Sequence, residues 1–123
     1  MPRHVLLVDD NQIVRQTERK LFESAGFVCH EADNGAKAIE HISVFQPDLI
    51  VLDLAMPIMN GLQAAPQLRR MLPSVPIILF TLYAGSVLEK EARAAGITSI
   101  VSKDEAASKL VSQAQTLLDA SAV

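Results

Sequence analysis

The chain has 123 residues, half hydrophobic and a fifth charged, which is typical of a soluble globular domain with its own core. Eleven basic and 14 acidic residues give a net charge of −3, so no basic excess points to nucleic acid or an anionic membrane. The first apolar run is too short for a signal peptide or a membrane span, and a single cysteine, Cys29, excludes an internal disulfide. We expect one cytoplasmic domain over residues 1–123, with Cys29 as a small buried core residue.

Short apolar runs along the chain predict strands. Residues that are apolar at every position suit strands buried on both faces, as in a parallel sheet. A segment of mixed polarity, 27–32, better suits an edge strand. The other four predicted strands are Val5–Val8, Leu49–Leu52, Ile77–Phe80 and Ser99–Val101.

Segments with helical periodicity follow each predicted strand. The first helix has an apolar face at Ile13, Val14, Thr17, Leu21 and Ala25, and Gly26 is placed to end it. The fourth, 87–95, has a weak stripe. Clearer stripes mark the second, third and fifth helices: Ala38, Ile39, Ile42 and Phe45; Leu62, Ala65, Leu68 and Leu72; Leu110, Val111, Ala114, Leu117 and Leu118.

The third helix contains Pro66 about one turn inside, which predicts a kink or a late helix start. Five strands alternate strictly with five helices over the whole chain. Such alternation indicates right-handed crossovers and an α/β fold, with a parallel sheet covered by helices on both faces.

Polar residues follow the predicted strands where ligands bind in an open α/β sheet, outside the carboxyl ends of the strands. The first strand ends in Asp9-Asp10, the third in Asp53 and the fourth in Thr81, and the fifth ends just before Lys103. Three carboxylates, a hydroxyl and an ammonium group should therefore meet at one edge of the sheet. A hydrophobic core requires none of them.

Their chemistry indicates a metal-assisted phosphoryl acceptor. Neighbouring carboxylates repel each other, and a divalent cation removes that conflict; oxygen ligands favour Mg²⁺. A carboxylate can accept a phosphoryl group as an acyl phosphate, and the transfer needs mainly positioning and charge stabilisation. The metal, Lys103 and the Thr81 hydroxyl could supply that stabilisation.

Each residue also has a simpler interpretation when it is taken alone. The Asp9-Asp10-Asn11 segment could cap the first helix, and Asp53 could be a solvated strand end. Thr81 could be an ordinary β-branched strand residue and Lys103 a surface lysine. Their coincidence at one edge favours a functional site. The histidines lack metal-ligand spacing and are interpreted as structural or surface residues: His4, His30 and His41.

Four segments in order and spacing resemble the receiver domains of two-component response regulators: VLLVDDNQIVR, DLIVLDLAMPIMNG, IILFTL and AAGITSIVSK. The resemblance covers nearly the whole chain, and the second segment is its most specific part. It implies a flavodoxin-like, three-layer α/β/α open sandwich, with five helices and a five-stranded parallel sheet of order 2-1-3-4-5.

The resemblance also implies a role for each residue of the edge. Asp53 would be the phosphoacceptor, Thr81 would move toward the phosphoryl group and Lys103 would pair with it. The Mg²⁺ ligands would be Asp10, Asp53, the backbone carbonyl of Ala55 and, mainly through water, Asp9. The chain would be a conformational switch rather than an enzyme. Its donor would be a sensor histidine kinase or phosphotransfer protein. The face made by the fourth helix, fifth strand and fifth helix would bind an unknown target or a second copy.

The sequence departs from the family pattern near the proposed switch. Ile100 replaces a frequent aromatic residue, Leu82 follows Thr81 where a small residue is frequent, and Asp104 follows Lys103 in place of proline. A cis bond before Asp104 would cost about 3–4 kcal/mol, so we expect a trans bond or a strained loop. The departures leave open a degenerate receiver that serves as a phosphorylation-independent interaction module.

Enzymes built on similar sheets fit the sequence less well. No G-x-G-x-x-G follows the first strand, which argues against a dinucleotide oxidoreductase. The acidic first loop would repel the phosphate of a flavin. Aspartate-dependent phosphatases usually carry Asp-x-Asp at this position, and Asp9-Asp10-Asn11 does not match that pattern.

Overall fold

The helices and strands alternate along the whole described chain. A computed structural model describes residues 2–83 and 85–121. Its elements are β1 (His4–Val8), α1 (Gln12–Ser24), β2 (Val28–Ala32), α2 (Gly35–Ile42), β3 (Leu49–Asp53), α3 (Gly61–Met71), β4 (Ile77–Thr81), α4 (Ser86–Ala94), β5 (Ser99–Ser102) and α5 (Ala107–Ser121). All strand pairs are parallel, in the order β2-β1-β3-β4-β5. The predicted fold class and strand order are confirmed.

The sheet separates two hydrophobic cores. Because side chains alternate along a strand, β1 sends Leu6 to one face and Leu7 to the other. The first core packs against α2, α3 and α4, and the second packs against α1 and α5. Every residue of β3 and β4 is buried, as expected for central strands covered on both faces. No described helix is long and apolar enough to cross a membrane.

Three of the predicted helix stripes lie toward the sheet, but the stripe of α1 is wrong. Ile13 is 75% exposed, and Thr17 and Ala25 are also exposed. The buried residues of α1 are Glu18 and Phe22, four residues apart on one face.

The aromatic side chain explains the orientation of α1. The Phe22 ring is fully buried and meets Phe27 edge to face at 5.0 Å between centroids. Burial of a phenylalanine contributes on the order of 2 kcal/mol, and the edge-to-face contact with Phe27 adds about 1 kcal/mol. The rotation that buries Phe22 carries Glu18 inside with it.

The start of α3 differs from the prediction made from Pro66. The helix begins at Gly61 and includes Pro66, so the expected late start is wrong. Asn60 and Gln63 form a capping box that fixes the first turn ahead of the proline. Pro66 lies on the exposed side of α3, where water can satisfy the carbonyl that loses its helical partner.

Two smaller expectations are met. Cys29 is buried in the second core, and burial raises the pKa of its thiol to about 11, which suits an inert core residue. No described peptide bond is cis, so the bond before Asp104 is trans.

Candidate functional site

The carboxyl ends of the strands bring the predicted polar residues to one edge. Asp9 directly follows β1, and Asp53 is the last residue of β3, the strand beside it. Thr81 ends β4, one position beyond the residue that pairs with Asp53. Lys103 follows β5, and its backbone N–H donates to the Thr81 carbonyl at 2.8 Å.

Asp9, Asp10 and Asp53 form an acidic cluster. One carboxylate oxygen from each lies within 4.8 Å of the others. Asp9 is 2% exposed and Asp53 is 7% exposed, whereas Asp10 faces solvent. An all-oxygen donor set with one open side suits a hard divalent ion such as Mg²⁺, which retains several waters. Ala55, the fourth predicted ligand, lies exposed in the loop two residues after Asp53.

The two aspartates are free to contribute because another residue caps α1. Asn11 is the N-cap, and its side-chain oxygen accepts from the backbone N–H groups of Ile13 and Val14 at 3.0 and 3.1 Å. Asp9 accepts one bond from the Asn11 N–H at 2.9 Å, which orients its carboxylate. The simpler interpretation, in which Asp9-Asp10-Asn11 caps the first helix, is therefore confirmed for Asn11 and wrong for the two aspartates.

Lys103 joins two of the carboxylates. Its Nζ donates to Asp53 Oδ1 at 2.9 Å and to Asp9 Oδ2 at 3.2 Å. It also lies 5.7 Å from the centre of the Phe80 ring. Its side chain is 19% exposed, so these ion pairs are largely removed from solvent. The interpretation of Lys103 as a surface lysine is wrong.

Burial and charge act in opposite directions on these groups. Burial raises the pKa of Asp53, as do the charges of Asp9 and Asp10, although its bond with Lys103 lowers it. Burial lowers the pKa of Lys103, but the hydrogen bond with Asp53 and the charges of both aspartates outweigh it and raise that pKa overall. The raised pKa of Lys103 keeps its ammonium group charged beside Asp53.

Thr81 is fully enclosed at the end of β4, with 1% exposure. Its hydroxyl oxygen accepts from the Tyr83 backbone N–H at 3.1 Å, so the side chain is held by the loop after β4. Leu82 and Tyr83 are 63% and 60% exposed. Movement of the Thr81 hydroxyl toward Asp53 would break this bond and release the loop.

Gly61 keeps the loop after β3 close to Asp53. A Cβ atom at this position would lie against the Asp53 carbonyl oxygen, and the Gly61 N–H donates to the Leu54 carbonyl at 2.9 Å.

Gly61→Ala should lower the free energy of unfolding by about 2 kcal/mol and weaken Mg²⁺ binding, measured by denaturant unfolding and calorimetry. Gly26→Ala is the control: it meets a positive φ of 91° but no neighbouring atom, and should leave Mg²⁺ binding unchanged. Equal Mg²⁺ affinity in the two variants would contradict the prediction.

The histidines group together beside the edge strand β2: His4 begins the neighbouring strand β1, His30 lies in the middle of β2 and His41 is on α2. His4 Nδ1 and His30 Nε2 are hydrogen-bonded at 3.0 Å, and His30 and His41 both pack on the Phe45 ring. Burial and the neighbouring His4 lower the pKa of His30. His4 and Asp9 lie at opposite ends of β1, and the acidic cluster of Asp9, Asp10 and Asp53 includes none of these histidines.

Glu18 is the residue near this edge that sequence reasoning missed. It is 3% exposed, although it belongs to a residue type that is almost never fully buried without a partner. The available signal was its position four residues before Phe22, which places both on one helix face.

The comparisons with known proteins agree with this fold and edge. Residues 5–115 match the family "Response regulator receiver domain". The chain is 32% identical over 103 residues to a chemotaxis protein CheY of Halobacterium salinarum, covering 84% of this chain and 86% of the relative. It is 34% identical to a putative transcriptional regulator of Pseudomonas aeruginosa, covering 93% of this chain but 56% of that protein. The crystallised chemotaxis protein CheY4 of Vibrio cholerae superposes with a TM-score of 0.90 at 25% identity, covering 95% of this chain and 99% of that one.

The strand order and the alternating helices define a flavodoxin-like α/β domain with an acidic cluster at the carboxyl edge of its sheet. The family match and the relatives show that the chain belongs to the response regulator receiver domains of two-component signal transduction. Receiver domains are signalling switches, and response regulators interact with histidine kinases and phosphotransfer proteins.

Proposed function

We propose that the chain, residues 1–123, is a cytoplasmic receiver domain that is phosphorylated on Asp53 in a Mg²⁺-dependent reaction with a sensor histidine kinase or phosphotransfer protein. The observation that carries the proposal is the contact between a buried Asp53 and the Lys103 ammonium at 2.9 Å, beside two further carboxylates. Asp53 can accept the phosphoryl group, the Lys103 ammonium can pair with it after transfer, and the carboxylates can bind a cation.

The reaction follows from the charges at the edge. Asp9, Asp10, Asp53 and the Ala55 carbonyl would hold Mg²⁺, which neutralises charge on the phosphoryl group when it is bound. An Asp53 oxygen forms a bond to phosphorus as the bond to the donor atom breaks, giving an acyl phosphate. Lys103 then exchanges its contact with the Asp53 carboxylate for one with a phosphoryl oxygen, and the Thr81 hydroxyl donates to another.

Signal output depends on the loop held by Thr81. The phosphoryl group adds up to about two negative charges and strong acceptor oxygens. As Thr81 turns toward it, the Tyr83 N–H loses its acceptor and the loop before α4 is released. The face formed by α4, β5 and α5 then changes, which biases binding of a downstream target or of a second copy of the chain. Ile100 on β5 occupies the position on that face where receiver domains frequently have an aromatic residue.

Incubation with Mg²⁺ and a small phosphodonor tests the proposal. Wild type should gain the mass of one phosphoryl group, while Asp53→Ala should gain none, measured by intact-protein mass spectrometry. The matched control is Asp33→Ala, because Asp33 also follows a strand but pairs with Lys37 at 3.2 Å in a half-exposed position. Equal labelling of wild type and Asp53→Ala would contradict the assignment of the acceptor.

Mg²⁺ titration separates the proposal from the degenerate receiver. Saturable binding that is lost in Asp10→Asn would support the phosphorylation switch, because this variant removes a charge from the exposed side of the cluster. Absence of both binding and labelling in the wild-type protein would favour a phosphorylation-independent interaction module.

A further inference from the structure

Glu18 presents an unusual carboxyl group beside the candidate phosphorylation site. It lies on the inward face of α1 with 3% exposure, and its Oε1 atom has no hydrogen-bond partner. A buried polar atom without a partner costs about 1–3 kcal/mol, and more when it is charged. The core does not need this group, because an apolar side chain would pack on the same face of α1 without that penalty.

A cavity connects Glu18 with Lys103. It measures about 220 Å³ and lies between α1 and the start of α5. Its apolar wall includes Ile13, Val14, Phe80 and Ala107, and its charged side chains are Glu18 and Lys103. The Lys103 side chain therefore borders two environments: the carboxylates of Asp9 and Asp53, and the cavity that contains Glu18.

The charged groups around Glu18 come from four parts of the fold. Burial raises its pKa from 4.5 to about 8, and the charge of Asp9 is the next largest cause. Lys103 lowers the pKa, Asp53 raises it and Arg15 lowers it. Phe80 on β4 and Ala107 on α5 contribute uncharged surface. With this pKa, Glu18 is mostly protonated at neutral pH. Lys103 then forms its ion pairs with Asp9 and Asp53 without competition from a third carboxylate.

We propose that Glu18 is a positioning residue for Lys103: its ionised carboxylate competes with Asp9 and Asp53 for the ammonium group and thereby slows phosphorylation of Asp53. The inference rests on the function proposed above. A neutral Glu18 leaves Lys103 at 2.9 Å from Asp53, ready to follow the phosphoryl group. An ionised Glu18 offers a second anionic partner in a site of low polarity, where attraction between opposite charges is strong.

The rate of phosphorylation by a small phosphodonor should show this competition as a pH effect. The ratio of the wild-type rate to that of Glu18→Gln should be near unity at acidic pH and fall about threefold as rising pH ionises Glu18. Glu18→Asp keeps the titrating group and should retain the fall. Glu40→Gln removes an exposed glutamate of α2 and should track wild type. A ratio that stays constant with pH would overturn the proposal.

Resonances of the Lys103 side chain test the same inference without phosphorylation. In ¹⁵N- and ¹³C-labelled wild-type protein they should shift with a midpoint near the pKa of about 8 assigned to Glu18, and in Glu18→Gln this shift should be absent. If the pH dependence of the Lys103 resonances is the same in wild type and Glu18→Gln, the proposal is overturned even if the phosphorylation rates differ. Failure to label either protein would instead contradict the proposed function, and the resonances would still decide the role of Glu18.

Discussion

Replacement of Lys103 by methionine should lower the free energy of unfolding of the metal-free protein by about 3 kcal/mol at neutral pH. The Lys103 ammonium group contacts both Asp9 and Asp53, at 3.2 and 2.9 Å, and these aspartates are 2% and 7% exposed. Methionine preserves the apolar stem but leaves two neighbouring buried carboxylates unpaired. Because the raised pKa of Lys103 keeps it protonated beyond its ordinary range, the wild-type pair should persist into alkaline solution.

Two conditions should reduce the loss caused by Lys103→Met. Acidification protonates the aspartates, and saturating Mg²⁺ replaces the missing positive charge, so the variant should approach wild type in both. The control is Lys37→Met, whose ion pair with Asp33 is about half exposed; it should cost under about 1 kcal/mol. Denaturant unfolding measures both variants. Equal small losses would show that Lys103 does not stabilise the cluster.

Replacement of Glu18 by glutamine should remove a pH-dependent loss of stability. The folded-state pKa of Glu18 is raised to about 8 from 4.5, so its folded form binds the proton more tightly than the unfolded chain. The stability that the protonated Glu18 contributes is fully present below the unfolded pKa of 4.5. It falls as pH rises, because the unfolded chain ionises first, and it is lost once pH has passed the folded pKa of about 8. Between about pH 4 and pH 7 the loss amounts to about 3 kcal/mol, nearly all of it before the folded carboxyl ionises.

The difference between Glu18→Gln and wild type isolates this effect from other titrating groups. The variant should gain about 3 kcal/mol relative to wild type between about pH 4 and pH 7, measured by urea unfolding. Glu31 has the opposite sign: burial raises its pKa, but bonds from Arg15 and Arg19 lower it overall. Its contribution cancels in the difference. A difference that does not change with pH would mean that Glu18 has an ordinary pKa in the folded protein.

The sheet and its polar edge could be predicted because each rests on a strong local signal. Four-residue apolar runs are short for helices and suit strands buried on both faces, and an aspartate, threonine or lysine at their ends falls where parallel strands share an edge. The order of the strands came from the resemblance to receiver domains, since apolar runs alone do not fix which strands are neighbours. The side-chain contacts of Lys103 were likewise beyond sequence pattern, because they depend on where β5 lies.

The errors arose where tertiary packing outweighed a local pattern. In α1 the stripe of Ile13 and Thr17 was apolar enough to suggest the buried face, but the larger Phe22 fixed the rotation and buried Glu18. In α3 a capping box at Asn60 stabilised the start despite Pro66. Both cases show that one strong contact can override a weak stripe or an unfavourable residue.

The acyl phosphate itself provides the most direct test of the account. After incubation with Mg²⁺ and a small phosphodonor, borohydride should reduce the acyl phosphate of Asp53 to homoserine, and peptide mass spectrometry should locate this change in the segment from Leu49 to Gly61. The account predicts homoserine at position 53 in wild type and no conversion without Mg²⁺. Conversion at another aspartate, with Asp53 intact, would contradict it.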